Sequence, residues 1–287
     1  MTTEIILTGT GVPHPSPGRA GPGVLVRCDD VALQFDAGRG TTLRLVEAGS
    51  PVHALSAVFI THVHSDHVID LADVVMTRWI QGTMHPSSPL PIVAVEGRVT
   101  RFTDAMLTPY AEDIALRVEH VQPAPPILDV RPFAFPTTPS AVWRSDDDTV
   151  VVEAVGVHHE PVTEAVAYRV TTPDGVVVIS GDTRVCDEVR DLARDADVLV
   201  HEACRTTAMS AAIAGTPFEN IFDYHADTVA LGAMAAAAGV RHLVLTHLIP
   251  QPATDEQVER FAADVRRGGF AGTLTVGRDL DRVVLGS

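Results

Sequence analysis

Thr61-His62-Val63-His64-Ser65-Asp66-His67 places three of the chain's 13 histidines and one carboxylate within six residues. The run is entered from Ala57-Val58-Phe59-Ile60, a short, wholly apolar stretch of the kind that forms a strand buried on both faces. Beyond it, Ile69, Leu71, Val74, Val75 and Trp79 recur at helical spacing, and Asp66 stands near the start of that helix, where the dipole favours a carboxylate. The histidines therefore fall at a strand-to-helix junction. His62 and His64, two apart at a strand end, project to one side. Asp66 and His67, adjacent on the turn, can serve a second centre a few ångströms away. Imidazole and carboxylate are the ligand types that zinc and similar borderline ions prefer. Four such groups this close repel one another unless a cation lies between them. An exposed polar loop is the bland alternative, disfavoured because clustered histidines on a buried strand end are costly unless bound to something.

Working outward, Glu4 to Thr8 reads as an opening strand, and Val24 to Cys28 with Val31 to Phe35 as a hairpin around Asp29-Asp30. A strand at Ile92 to Val95 and a helix from Val99 to Leu107 precede a proline-rich stretch, 123 to 139, that reads as a loop. Strands resume at Thr149 to Val157, Ala165 to Val170 and Val176 to Ile179. A helix over Glu188 to Asp195, a strand at Val198 to Val200, an alanine-rich helix from Ala226 to Ala238 stopped by Gly239, a strand at Leu243 to Thr246 and a helix over Asp255 to Arg267 follow. Both halves pass from strands to mixed α/β, which predicts two sheets covered by helices in one domain spanning residues 1–287.

Composition narrows the function. The 287 residues carry 21 basic and 37 acidic groups, a formal charge of −16, which opposes polyanion binding because nucleic-acid affinity rests on neutralising phosphates. Every basic residue is arginine, so mechanisms needing a Schiff-base or phosphate-binding lysine are excluded. Three cysteines without a Cys-x-x-Cys pair suit a reducing compartment. The N-terminus has neither a basic nor an apolar leader region, and no apolar run is long enough to span a bilayer. A cytoplasmic protein without membrane partners is expected. No Gly-x-Ser-x-Gly elbow is present, and Gly9-Thr-Gly lacks the third glycine of a dinucleotide fingerprint.

The His-x-His-x-Asp-His run after a buried strand resembles the signature of the metallo-β-lactamase-fold hydrolases. Leu7-Thr-Gly-Thr-Gly, Phe35-Asp-Ala-Gly, His159-Glu-Pro-Val with Tyr168-Arg169, Ser180-Gly-Asp-Thr, His201-Glu-Ala-Cys, His225 and Thr246-His247 occur in the order of that family's ribonuclease Z and arylsulfatase-like branch. The resemblance implies an αββα sandwich with metals at one edge between the sheets. It implies that His62, His64 and His159 hold one divalent ion, that Asp66, His67 and His247 hold another, and that Asp182 bridges them. Zinc is the first expectation for both ions, with manganese or iron(II) as alternatives. Of the neighbours His158 and His159, which cannot both face inward from an extended strand, the Pro161-Val162 and Tyr168-Arg169 register favours His159.

The chemistry the resemblance implies is hydrolysis by a hydroxide shared between the two ions, which lower the pKa of water and polarise the bond attacked. It offers His225 as the acid that protonates the leaving group, with Glu202 orienting it, and counts Asp66 with the reacting groups. Asp36 is read either as orienting a ligand histidine or as a turn residue. In ribonuclease Z an often basic arm grips tRNA, but Val170 to Ile179, between the Tyr168-Arg169 strand and the Ser180 motif, reads as a tight hairpin with no basic residue. A small phosphodiester or sulfate ester is therefore the expected substrate and a nucleic acid is disfavoured. Ribonuclease Z-type tRNA 3′ processing, a lactonase and a non-catalytic metal-binding protein stand as alternatives. Residues 76 to 126, with Trp79, Met84, Pro86, Pro89, Met106 and Tyr110, are expected to wall the metals or to serve as plain core. A homodimer is implied by the resemblance alone.

Overall fold

The computed structural model describes residues 2–286. β1 (Thr3–Gly9), β2 (Gly23–Cys28) and β3 (Val31–Phe35) pair antiparallel, and β4 (Ala57–Phe59), β5 (Pro91–Val95) and β6 (Asp129–Phe133) extend the same sheet in parallel. The second half repeats this plan. β7 (Ser140–Arg144), β8 (Val151–Gly156), β9 (Val166–Thr172) and β10 (Gly175–Ile179) run antiparallel, and β11 (Val198–Cys204), β12 (His242–Ile249) and β13 (Thr273–Val276) continue in parallel. β14 (Arg282–Leu285) returns to the outer side of β1, so each sheet has seven strands.

Burial explains why these runs are so apolar. Inner-face residues Phe35, Phe59 and Val93 meet Val152, Tyr168, Val177 and Val200 of the other sheet in one buried cluster. The outer face of the first sheet, with Leu25, Val58 and Ile92, is covered by α1 (Thr41–Glu47), α3 (Leu71–Gln81) and α4 (Arg98–Ala105) through Leu45, Leu71, Val74 and Val99. On the second sheet, Leu199, Leu243 and Leu245 pack under α6 (Asp187–Leu192), α8 (Thr228–Ala237) and α9 (Asp255–Arg267) through Val189, Leu231 and Phe261. The four layers are the αββα sandwich that the resemblance implied. The small residues of the alanine-rich helix let α9 approach closely: a Cβ at Gly232 would lie 2.2 Å from the carbonyl oxygen of Val265, and one at Gly268 2.1 Å from that of Val229. Asp227 caps α8 by accepting from the Val229 and Ala230 amides.

Several elements depart from the sequence reading. The helix after the histidines is broken into α2 (Ser65–Val68) and α3, because the Asp70 amide bonds the Ala37 carbonyl instead of continuing the helical ladder, while its carboxylate holds the Thr42 amide. The proline-rich loop contains β6; it tolerates Pro132 because it is an edge strand. α5 (Ala111–His120) and α7 (Thr206–Ile213) were not anticipated, and neither has a buried residue. The expected wall over the metals is not where the proline-rich and aromatic residues go. Trp79 and Pro89 line an open recess of about 410 Å3 with Leu90, Pro123 and Ile127, whose lining includes none of the ligand candidates, and Met106 lies in the core beneath the first sheet. The histidines stand before the first turn of α3, and its 11 residues carry the chain about 16 Å away from them.

Candidate metal centre

β4, β10, β11 and β12 all deliver chain to the same edge of the sandwich, the place where α/β sheets put their chemistry. On the first sheet, Asp36 follows β3 with φ of 56°, a left-handed conformation that turns its carboxylate inward. Its Oδ1 accepts from the Thr61 amide (2.8 Å) and its Oδ2 from the Thr61 hydroxyl (2.8 Å) and His67 Nδ1 (2.7 Å), so one buried aspartate sets both ends of the histidine run. This settles its two readings in favour of orienting a histidine. Tyr168 reaches across from β9, fully buried, and its hydroxyl donates to the Ile60 carbonyl at 2.8 Å, tying the second sheet to the entry of that run.

On the second sheet, Gly181 takes φ of 60° and a Cβ there would come within 2.7 Å of Thr61, so glycine is required for Asp182 to swing into the gap. His247 does not follow β12 but lies inside it. The β11–β12 register pairs Thr246 with Glu202 and Leu248 with Ala203, leaving His247 as the extra residue of a bulge with φ of 43°. The bulge re-aims one side chain out of the strand's alternation, a common device beside active sites.

All seven residues singled out in the sequence come together. His62 Nε2 and His159 Nε2 lie 2.9 and 3.1 Å from His64 Nδ1. Asp182 Oδ2 is 3.3 Å from both His67 Nε2 and His247 Nε2, 3.8 Å from His159 Nε2 and 4.0 Å from His62 Nε2. Asp66 Oδ2 is 3.4 Å from His247 Nε2 and 3.7 Å from that of His67. Two compact donor sets take up all seven, His62/His64/His159/Asp182 and Asp66/His67/His247, and Asp182 and His247 also form a third with His225. Their members are buried apart from half-buried His64. His158 turns away, with its side chain 37% exposed and 3.2 Å from Glu188.

Nitrogen lone pairs at 2.9 to 3.1 Å are repulsive without a proton or a cation between them. Burial pushes His62 well below its ordinary pKa, and neighbouring His67 adds to this, so a proton is a poor filler there. Burial would also depress His67, but Asp182 and Asp36 overcome it and hold His67 well above the usual value. The atoms facing the centre are orphaned: Asp66 Oδ2, His67 Nε2, Asp182 Oδ1 and His247 Nε2 are buried with no hydrogen-bond partner. Native proteins rarely leave such groups unpaired, and a mixed nitrogen and oxygen set of this kind fits divalent cations.

His225 stands beside both sets, its ring 5.1 Å from that of His159 and 5.6 Å from that of His247. Its Nδ1 is 2.8 Å from Glu202 Oε1, and Glu202, wholly buried, also accepts from the Thr183 amide (2.8 Å) and the Ala226 amide (3.2 Å). Burial alone would depress the His225 pKa; the Glu202 carboxylate reverses this and pushes it up to about 9. Three participants were not singled out from the sequence: Thr61, which bonds Asp36; Thr183, which bonds Glu202; and Tyr224, whose carbonyl accepts from His159 Nδ1 at 3.1 Å. Thr61 and Thr183 directly adjoin ligand candidates in the chain, and Thr183 also closes the Ser180-Gly-Asp-Thr motif, but neither signal gives them a role.

An αββα sandwich with His and Asp side chains converging at the shared edge of its two sheets defines the protein as a metal-dependent hydrolase of the metallo-β-lactamase fold. A family model described as Anti-Pycsar protein Apyc1 matches residues 3–227. Curated proteins named ribonuclease Z match almost end to end. That of Mycobacterium bovis (strain BCG / Pasteur 1173P2) is 37% identical over 284 residues, covering 98% of this chain and 97% of its own. That of Mycolicibacterium paratuberculosis is 38% identical over 282 residues with the same coverage. The chain belongs to the Anti-Pycsar protein Apyc1 family and shares its descent with these ribonuclease Z proteins. Among solved structures, the metallo-β-lactamase fold protein YhfI from Bacillus subtilis superposes with a TM-score of 0.72 at 18% identity, covering 99% of this chain and 100% of that one. The short form of human tRNase Z gives 0.70 at 20% identity with the same coverage.

Proposed function

We propose that this chain is a dinuclear metal-dependent phosphodiesterase that cleaves RNA in the manner its ribonuclease Z relatives' name describes. The observation that carries the chemistry is the placement of His225: one ring nitrogen is held by Glu202 while the ring stands against both donor sets. His62, His64 and His159 would hold one ion, Asp66, His67 and His247 the other, with Asp182 shared, zinc being the ion the donor types suit first. Two such ions supply an activated water and polarise the phosphate being attacked. The chain's own residues do the rest. Asp36 fixes the ring of His67 through Nδ1, leaving Nε2 for the centre. Glu202 keeps His225 charged, so its Nε2 proton is available to the departing oxygen of a poor leaving group. Burial of the donor sets keeps bulk water from competing with these contacts.

The relatives' name favours RNA, whereas the charge balance alone pointed away from it. A second reading, hydrolysis of a small phosphodiester, keeps support from one observation. Between His159 and Ser180 the chain is only a short loop, β9, a tight turn and β10, with no protruding arm. Sulfate esters and lactones have no comparable support. We place the enzyme in the cytoplasm as a single-domain homodimer; among the described residues no helix is long and apolar enough to cross a membrane.

Comparing kcat/KM on a 3′-extended tRNA precursor, bis(p-nitrophenyl) phosphate and p-nitrophenyl sulfate tests the proposal. The expected order is RNA first and sulfate last. Precursor RNA left intact while the small phosphodiester is turned over would transfer the assignment to the second reading, and no metal-dependent cleavage of any of the three would end both.

A further inference from the structure

We infer that Thr183 is the positioning residue that holds His159 in the cage and joins that donor set to the proton-donating pair. β8 ends at Gly156, and beyond it His159 is held by a single bridge to Val162 and, at ring Nδ1, by the Tyr224 carbonyl at 3.1 Å, while the main chain of His158 needs a separate anchor. Thr183 supplies that anchor from the other side of the gap. Its hydroxyl accepts from the His158 amide at 3.1 Å and donates to the Arg184 carbonyl at 2.9 Å, and the Arg184 amide returns to the His158 carbonyl at 3.1 Å. The Thr183 amide donates to Glu202 Oε1, the oxygen that also receives His225 Nδ1, both at 2.8 Å. Thr183 also follows Asp182 directly, so one fully buried side chain sits where Asp182, His159 and the Glu202–His225 pair meet. Asp36 plays the corresponding part for His67 and Thr61 on the opposite sheet, and the two braces share no residue.

The division of labour within Thr183 makes the inference testable. Its backbone serves Glu202 and its hydroxyl serves His158, so Thr183→Val removes only the His159 arm and leaves the acid pair in place. Thr183→Ser keeps the hydroxyl. The inference rests on the reading that the cage binds two cations. Metal-stripped full-length protein, wild type and both variants, is titrated with zinc against a chromophoric chelator, and the melting temperature of the stripped protein is measured alongside.

Loss of a direct outer partner of a ligand histidine lowers metal affinity by roughly 10- to 100-fold, and Thr183 reaches His159 only through the main chain of residue 158, so the lower end of that range applies. Thr183→Val should therefore weaken one of the two zinc ions by that factor while the other stays at the wild-type value, and Thr183→Ser should restore most of the loss. A purely structural role would weaken both ions together, in step with a lower melting temperature of the stripped protein, and that result overturns the inference. Wild-type affinity for both ions in Thr183→Val overturns it equally while leaving the two-ion reading intact. A wild-type protein that takes up no zinc overturns both.

Discussion

Replacing Glu202 by glutamine removes the charge that keeps His225 protonated while preserving the size of a wholly buried side chain. The carboxylate lifts His225 from an ordinary 6.5 to about 9 against the opposing pull of burial. That difference corresponds to roughly 3 kcal/mol in favour of the imidazolium. With a raised pKa the acid is fully present below 6.5 and is lost as pH rises through about 9. In the variant, burial is opposed only by the weaker pull of Asp182, and the loss moves to lower pH. Two dications in the cage would lower both profiles together, so the separation between wild type and variant is the quantity to measure. The protonated fraction near neutral pH should fall, and the total cost should approach the 10²- to 10⁴-fold typical of a missing general acid. The leaving group sharpens the test, because a ribose oxygen needs the proton and p-nitrophenolate does not. Profiles of kcat/KM against pH on RNA and on bis(p-nitrophenyl) phosphate should show a large loss with an acid-shifted alkaline limb on the first and a small loss on the second. Equal losses on both substrates, or an unmoved limb on RNA, would refute the role given to the pair.

Other outcomes follow from the same contacts. Exhaustive chelation should release close to two divalent ions per chain by elemental analysis. An ion at a thousand-fold excess over its Kd stabilises by about 4 kcal/mol, so stripping both should lower Tm by roughly 15 °C in calorimetry. Asp182→Ala should abolish uptake of both ions in the same titration, because Oδ2 of Asp182 is within 4.0 Å of histidines from both sets. Tyr168→Phe should cost about 1–3 kcal/mol in denaturant unfolding, since it leaves the buried Ile60 carbonyl without its donor. Gly232→Ala should destabilise by about 1–3 kcal/mol with unchanged activity per folded molecule, because its Cβ meets the Val265 carbonyl oxygen at 2.2 Å in the helix layer.

The parts of this protein that could be read from its sequence are those whose meaning is carried by near neighbours in the chain. The histidine run is legible because its spacing, its apolar strand and its following helix all lie within about twenty residues, and α9 because Thr254 and Gln257 form a reciprocal cap ahead of an amphipathic run. Asp182 and His247 became candidates only through family resemblance, since nothing local marks an aspartate after Ser-Gly or a histidine within a β-strand as facing a distant loop. The bulge at His247 has no sequence signal of its own; it depends on β11 advancing one residue while β12 advances two. α5 and α7 escaped notice for the opposite reason: with no buried face they impose no apolar periodicity on their residues. Thr183 marks the deepest limit. Half of its role is played by a main-chain N–H that any residue but proline would supply, and the other half by a hydroxyl bonded to the main chain of residue 158, so neither partner requires a particular side chain. A ligand set can thus be partly visible in a sequence while of its two braces only Asp36 is foreshadowed, and then only as one of two readings. Those braces separate a cluster of histidines from a site with two ions held in register with a proton donor.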